Sequence, residues 1–280
     1  MVTSVRILAD NRGDFCFYKK DRMNYKAIIT HIDGTALDSP IEKTVSERLT
    51  NAVTTLELNG IKVCAATGRA ESFAKPVLES MGLRHPAIVS SGTQIIDPVS
   101  GDVLWSCGLS ADRVEKIVDL LKNTNYGFLW NDSTEADYLS GGWSIDKFNE
   151  YESTYFFEVC FVPYDEVTKL VESLKDIEGI AVTVVNAQRP NTNDIHITNK
   201  VATKEHAVYE LEKIINIRKE DMIGVGDGHN DIDLFKAVNY KVAMGNAVQE
   251  LKDAADEVID SVKDDGLAKY FERLLKEIQS

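Results

Sequence analysis

The chain has 280 residues, with 31 Lys plus Arg against 45 Asp plus Glu, a formal net charge of −14. That balance argues against a nucleic-acid partner, which needs a basic footprint, and against an anionic membrane surface. With 44% hydrophobic residues the chain can bury the core of one large or two modest domains, and no apolar run reaches the roughly 18 residues of a bilayer span.

Residues 1–22 lack the apolar stretch of a signal peptide. They read either as a poorly ordered extension ahead of Met23 or as an added edge strand around 5–8. The run 25–32 is apolar and β-branched, as a buried strand requires. A helix is predicted over 44–59, with Thr44 and Glu47 as a capping box and Gly60 as its stop. Its apolar face is Val45, Leu49, Ala52, Val53 and Leu56. A strand at 61–66, a helix at 71–81 closed by Gly82 and a strand at 87–90 follow. Strands and helices alternating over short connections predict an α/β fold with a parallel, doubly wound sheet. Ligands in such folds bind beyond the carboxyl ends of the strands.

From Gly92 the texture changes. A hairpin turning at 97–102 leads to a helix with Val114, Ile117, Val118 and Leu121 on one face. Then come a strand at 126–130, a polar and aromatic loop at 131–154, a strand at 155–162, a helix at 164–176 and a strand at 180–185. Residues 92–194 therefore read as an α/β domain inserted into a core made of 23–91 and 195–280. The alternation resumes with a helix at 203–215, a strand at 222–225, a short helix, strands at 240–244 and 257–260, and a final helix from 266.

Chemistry-bearing residues fall just after the core strands. The first strand ends in HIDGT (31–35), the second in AATGR (65–69). Thr67 there offers a hydroxyl and a backbone amide that can hold a phosphoryl oxygen. The strand at 222–225 runs into GDGHND (226–231), where Asp227 and Asp231 flank a tight glycine turn, as a hard cation such as magnesium requires. A dinucleotide fingerprint fails, because Gly224 and Gly226 are followed by His229 where the third glycine belongs. Lys204 opens a helix that can reach the same sheet edge. His229 reads as a variable loop residue. The four cysteines lack zinc-ligand spacing; Cys64 and Cys160 sit in apolar strands as buried thiols, which suits a reducing cytoplasm.

Together HIDGTALD, ATGR, NKVATKEHA, GDGHNDIDLF and VAMGNA (242–247) resemble the haloacid-dehalogenase superfamily of phosphohydrolases, in its Cof-like branch with a large α/β cap. The resemblance runs from residue 25 to about 279. It implies a magnesium-dependent phosphatase of a small phosphorylated metabolite, a sugar phosphate among the candidates. An aspartate at position 31 would attack phosphorus, and Asp33 would protonate the leaving oxygen and then activate water. Thr67, Gly68, Lys204 and Asn230 would hold the phosphoryl group. Asp227 and the backbone carbonyl of Asp33 would hold the metal with the residue at 31, and Asp231 would support the metal shell or orient Lys204. Arg69, Tyr138, Trp143 and Asn246 would face the substrate.

The sequence departs from that pattern at the nucleophile position, which carries His31. Imidazole is a poor magnesium ligand, and its reach differs from that of a carboxylate. Three readings stand: loss of catalysis leaving a phosphate-ligand binder, one altered residue in an otherwise active member, or a working histidine nucleophile or ligand for a softer metal. The retention of Asp33, Lys204, Asp227 and Asp231 favours the second. A signalling receiver also uses an acidic sheet edge, but needs neither the large insertion nor the second acidic turn.

Overall fold

The computed structural model describes residues 25–131, 154–187 and 189–279, with the backbone of 6–9 and 15–18. The first two strands, β1 (Arg6–Ala9) and β2 (Phe15–Tyr18), pair antiparallel with each other. They form a sheet of their own rather than an edge of the core. The predicted alternation follows in β3 (Ala27–Thr30), α1 (Glu47–Leu58), β4 (Lys62–Ala65), α2 (Glu71–Met81) and β5 (Ala87–Val89). Helix α1 starts later than the capping-box reading placed it. Ser46, not Thr44, is its N-cap, and the Ser46 Oγ accepts from the Leu49 N–H at 3.1 Å.

Next come β6 (Gln94–Ile96), β7 (Val103–Ser106), α3 (Ala111–Leu121), β8 (Gly127–Trp130), β9 (Phe156–Pro163), α4 (Tyr164–Lys175), β10 (Ile180–Asn186) and β11 (Thr192–Asn199). The chain ends with α5 (Lys204–Ile215), β12 (Met222–Gly226), α6 (Ile232–Lys236), β13 (Tyr240–Ala243), α7 (Gln249–Ala254), β14 (Glu257–Val258) and α8 (Gly266–Gln279).

Five parallel strands form the core sheet in the order β14-β13-β12-β3-β4. β3 and β12 are buried along their whole lengths. Their sequences, AIIT and MIGVG, are the unbroken apolar runs of strands covered on both faces. A bridge from Ala66 to Ile88 continues the sheet to β5. A second, antiparallel sheet has the order β10-β11-β9-β8.

Packing falls into two apolar clusters. The hairpin β6–β7 was assigned to the insertion. It bonds to β5, and Ile95 and Ile96 join the first cluster. β11 was assigned from residue 195 onward to the core. It is an interior strand of the second sheet, and its Ile195 and Ile197 pack in the second cluster with Phe128, Phe157 and Val159. Ile195 and Ile197 alternate with polar residues, the pattern of a strand with one face to water, yet residues 194–198 are buried on both faces.

Candidate active site

The carboxyl ends of β3, β4 and β12 lie side by side, since Thr30 pairs with both Ala65 and Val225. His31 is the next residue of β3. Its backbone N–H donates to the Val225 carbonyl at 2.8 Å, and its ring is buried. Ring Nδ1 lies 2.8 Å from the Ala66 carbonyl, 3.2 Å from Lys204 Nζ and 3.9 Å from Asp231 Oδ1. A carbonyl only accepts and an ammonium only donates. A proton on Nδ1 therefore serves Ala66 and opposes Lys204, and its absence does the reverse. No ring form satisfies both neighbours.

Lys204 is the first residue of α5, capped by Thr203, whose hydroxyl accepts from the His206 N–H. Its Nζ donates to Asp231 Oδ1 at 2.7 Å, and the two side chains are 4% and 0% exposed. The second oxygen of Asp231 accepts the backbone N–H groups of Asp227 and Gly228, each at 3.0 Å. Burial alone would raise the Asp231 pKa. The opposing charges of His31 and Lys204 and the hydrogen bonds from Lys204 and Gly228 outweigh it and hold the group down at about 2. Gly226 makes room, since a Cβ there would lie 2.6 Å from the Asp231 carboxylate. Asp227 Oδ1 accepts from the Thr35 hydroxyl at 2.8 Å. Burial raises its pKa against the lowering by His31, Thr35 and Lys204. Gly34, at φ +75°, passes so close that a Cβ would overlap Asp227 Oδ2.

Thr67 is fully buried and its hydroxyl accepts from the Arg69 N–H at 3.1 Å. Gly68 lies beside it, close to Ser91 and His196. Arg69, read from the sequence as facing the substrate, folds back instead. Its guanidinium grips Asp33 through Nη2 to Oδ1 at 2.6 Å and Nε to Oδ2 at 3.0 Å. It also donates to the carbonyls of Pro40, Glu42 and Phe73. Asp33, assigned to proton transfer and the metal, is thus held by a cation in this structure. Asn246 joins loops, donating to the Gly34 carbonyl and accepting from the Val262 N–H. Asn230 is exposed on the turn after Gly228. His229 is exposed beside Glu250, as a loop residue should be. Tyr138 and Trp143 lie outside the described residues. Cys64 is a buried thiol whose pKa burial pushes up to about 12, and Cys160 is also a buried thiol.

Several residues near the site were not anticipated. Thr35 and Gly34 belong to the HIDGT motif, and only their contact with Asp227, distant in sequence, reveals their part. Others lie on the second sheet. Val159, Ile195 and Ile197 face the second cluster, so the intervening Glu158, Cys160, Asp194 and His196 share the opposite face. His196 sits against the core, with Nδ1 3.1 Å from Ser91 Oγ and Cε1 3.8 Å from where a Gly68 Cβ would stand. Its buried ring has a pKa lowered to about 4. Burial, with Asp194 alongside, pushes Glu158 up to about 8. Near neutral pH this face presents an uncharged imidazole and a protonated Glu158 beside Asp194.

The magnesium ion that the resemblance implies prefers six oxygen ligands in tight geometry. Ligand atoms of His31, Asp227 and Asp231 lie within 4.8 Å of one another, close enough for one ion. Their chemistry is wrong for that one. Position 31 offers nitrogen, Asp231 has committed both oxygens, and Arg69 holds the Asp33 carboxylate. Asp227 is the one carboxylate of the set held by neither a cation nor backbone N–H groups. The residues as arranged do not fit magnesium.

Comparison with known proteins agrees with the strand-end motifs. Residues 28–271 match the model of the haloacid dehalogenase-like hydrolase family. A 5-amino-6-(5-phospho-D-ribitylamino)uracil phosphatase of Bacillus subtilis is 25% identical, the alignment covering 90% of this chain and 96% of the relative. A phosphoglycolate phosphatase of Methanosarcina acetivorans is 23% identical, with 90% and 97% covered. A solved sugar phosphatase of subclass IIB superposes with a TM-score of 0.70 at 19% identity, covering 89% of this chain and 98% of its own. No helix among the described residues is long and apolar enough to cross a membrane. The match to the family model over most of the chain, with a strand-end site of the kind its motifs imply, makes this protein a member of the haloacid dehalogenase-like hydrolase family.

Proposed function

We propose that this protein is a phosphatase of a small phosphorylated metabolite whose hydrolysis is slowed at one residue, His31. The observation that carries the proposal is the buried ammonium of Lys204, fixed by Asp231 at the ends of the parallel strands. A phosphoryl group seated there meets Lys204, the Thr67 hydroxyl and the Gly68 N–H, which stabilise its spread negative charge, the Thr67 N–H being spent on the Ile88 carbonyl. Asp33, once released by Arg69, gives the leaving oxygen its proton. Position 31 would deliver the attacking atom. An imidazole pinned between Ala66 and Lys204 presents a nitrogen at a different reach from that of a carboxylate oxygen, and a displacement of about 1 Å can cost about a hundredfold in rate.

We further propose a core of residues up to 106 and from 200, roofed by a cap of 107–199. On this reading Glu158, Asp194 and His196 of the cap contact the part of the substrate beyond phosphate. Hydroxyls suit that lining of acid and neutral imidazole, whereas a second anion meets Asp194. A sugar or polyol phosphate therefore fits better than phosphoglycolate.

The test is hydrolysis of p-nitrophenyl phosphate, then of sugar phosphates and phosphoglycolate, by the chain and by His31→Asp. The aspartate variant should be faster by about a hundredfold and should prefer the polyol esters. Equal rates would show His31 to be a competent nucleophile. Inactivity of both on all esters would refute the phosphatase reading.

A further inference from the structure

We infer that this chain holds phosphate at the ends of β3, β4 and β12 without a divalent cation. The inference rests on the phosphate-handling reading above and goes beyond it by removing the metal.

Charge comes first. The charged groups at the strand ends are two carboxylates, half-buried Asp227 and buried Asp231, and one buried ammonium, Lys204. His31 is no anion in any ring form, so these groups leave at most one negative charge. An aspartate at 31 would leave two, which one divalent cation would balance. The histidine therefore removes the electrostatic need for that cation as well as one of its oxygen ligands. Asp33 adds no charge to the balance, because Arg69 neutralises it through three contacts.

Donors come second. Asp231 is saturated by Lys204 and two backbone N–H groups, a set built into the turn at Gly226–Gly228. Its side chain is fully buried, with both oxygens already bonded. Asp227 spends one oxygen on Thr35. A magnesium ion would keep most of its water and bind through one carboxylate, that of Asp227, with at most the Asp33 backbone carbonyl beside it, a weak mode for an ion that dehydrates reluctantly. The attraction left for phosphate is Lys204, the Thr67 hydroxyl and the Gly68 N–H, since the N–H groups of Thr67 and Arg69 are already bonded.

This arrangement reverses the sign of one effect. With a cation present, Asp227 holds the ion that phosphate binds, and losing its charge weakens phosphate. With no cation, Asp227 faces phosphate directly and repels it, and losing its charge strengthens phosphate.

The experiment uses the full chain and His31→Asp, each checked for folding by circular dichroism. Mg2+ and Mn2+ are titrated by calorimetry without phosphate. Inorganic phosphate is then titrated in EDTA and in Mg2+, with and without Asp227→Asn. The chain should bind Mg2+ at least about tenfold more weakly than His31→Asp. Its phosphate affinity should be the same in EDTA and Mg2+, and Asp227→Asn should raise it. In His31→Asp, Mg2+ should raise phosphate affinity and Asp227→Asn should lower it. Mg2+ binding by the chain as tight as by His31→Asp overturns the inference. So does phosphate binding by the chain that needs Mg2+ or falls on Asp227→Asn; these results leave the phosphate reading intact. Absence of phosphate binding by both proteins in both buffers refutes the phosphate reading itself.

Discussion

Lys204 and Asp231 form a buried ion pair whose removal can be worked through in numbers. Lys204→Met keeps the length of the side chain and removes its charge. Asp231 retains two N–H donors at 3.0 Å but loses the ammonium at 2.7 Å. Breaking such a pair from one side costs about 3–5 kcal/mol, because the surviving charge stays buried. At roughly 2–4 °C per kcal/mol for a chain of this size, melting falls by about 6–20 °C. Asp231→Asn strands the lysine instead and should cost a similar amount. The double variant buries neither charge, so its loss should fall short of the sum of the singles by more than about 0.5 kcal/mol. Urea unfolding followed by circular dichroism measures all three. A loss under about 1 kcal/mol in Lys204→Met, the value of an exposed pair, refutes the reasoning. Additive singles refute it equally.

Two other perturbations follow from the same geometry. Gly34→Ala must hold φ near +75° and place a methyl on Asp227 Oδ2, so it should destabilise by at least about 1 kcal/mol; an unchanged melting temperature would contradict the close approach. Glu158 has a folded pKa of about 8 against 4.5 when free. The fold thus favours its protonated form, a contribution complete below 4.5 and lost as pH rises through 8. Glu158→Gln should flatten that decline, gaining stability over the parent between pH 5 and about pH 9; parallel pH curves for the two proteins would refute it.

The core was legible because its strands, buried on both faces, are short unbroken apolar runs ending in glycine- and aspartate-rich turns. AIIT before His31 and MIGVG before Asp227 each announce a strand and the place where chemistry sits. The second sheet was harder. Its strand β11 alternates Ile195 and Ile197 with Asp194 and His196, and a polar residue in such a pattern reads as solvent-facing although both faces are buried. Only the contact of His196 with Ser91, 105 positions away, shows that this face meets the core. Arg69 misled for a related reason. It stands at the mouth of the site by sequence, but the partner that orients it, Asp33, comes from another strand end.

Retention of the surrounding motif looked like evidence for catalysis, and the structure divides that evidence unequally. Asp231, Lys204 and Gly226 form a buried, mutually neutralising unit that stability alone would keep. Thr35, Gly34 and Asp227 fit one another in the same way. Asp33 differs. Its side chain is 27% exposed, and Arg69 has the carbonyls of Pro40, Glu42 and Phe73 to bond if the carboxylate is lost. Asp33→Asn leaves a guanidinium that is only 10% exposed, but those carbonyls still bond it, so the loss should stay below the roughly 3–5 kcal/mol of a stranded buried charge. If Asp33 is kept for proton transfer, the same substitution in the His31→Asp background should remove most ester hydrolysis, most steeply for poor leaving groups that need protonation. A stability loss of several kcal/mol with turnover preserved would make Asp33 a structural partner of Arg69. The motif would then owe its retention to folding at every position.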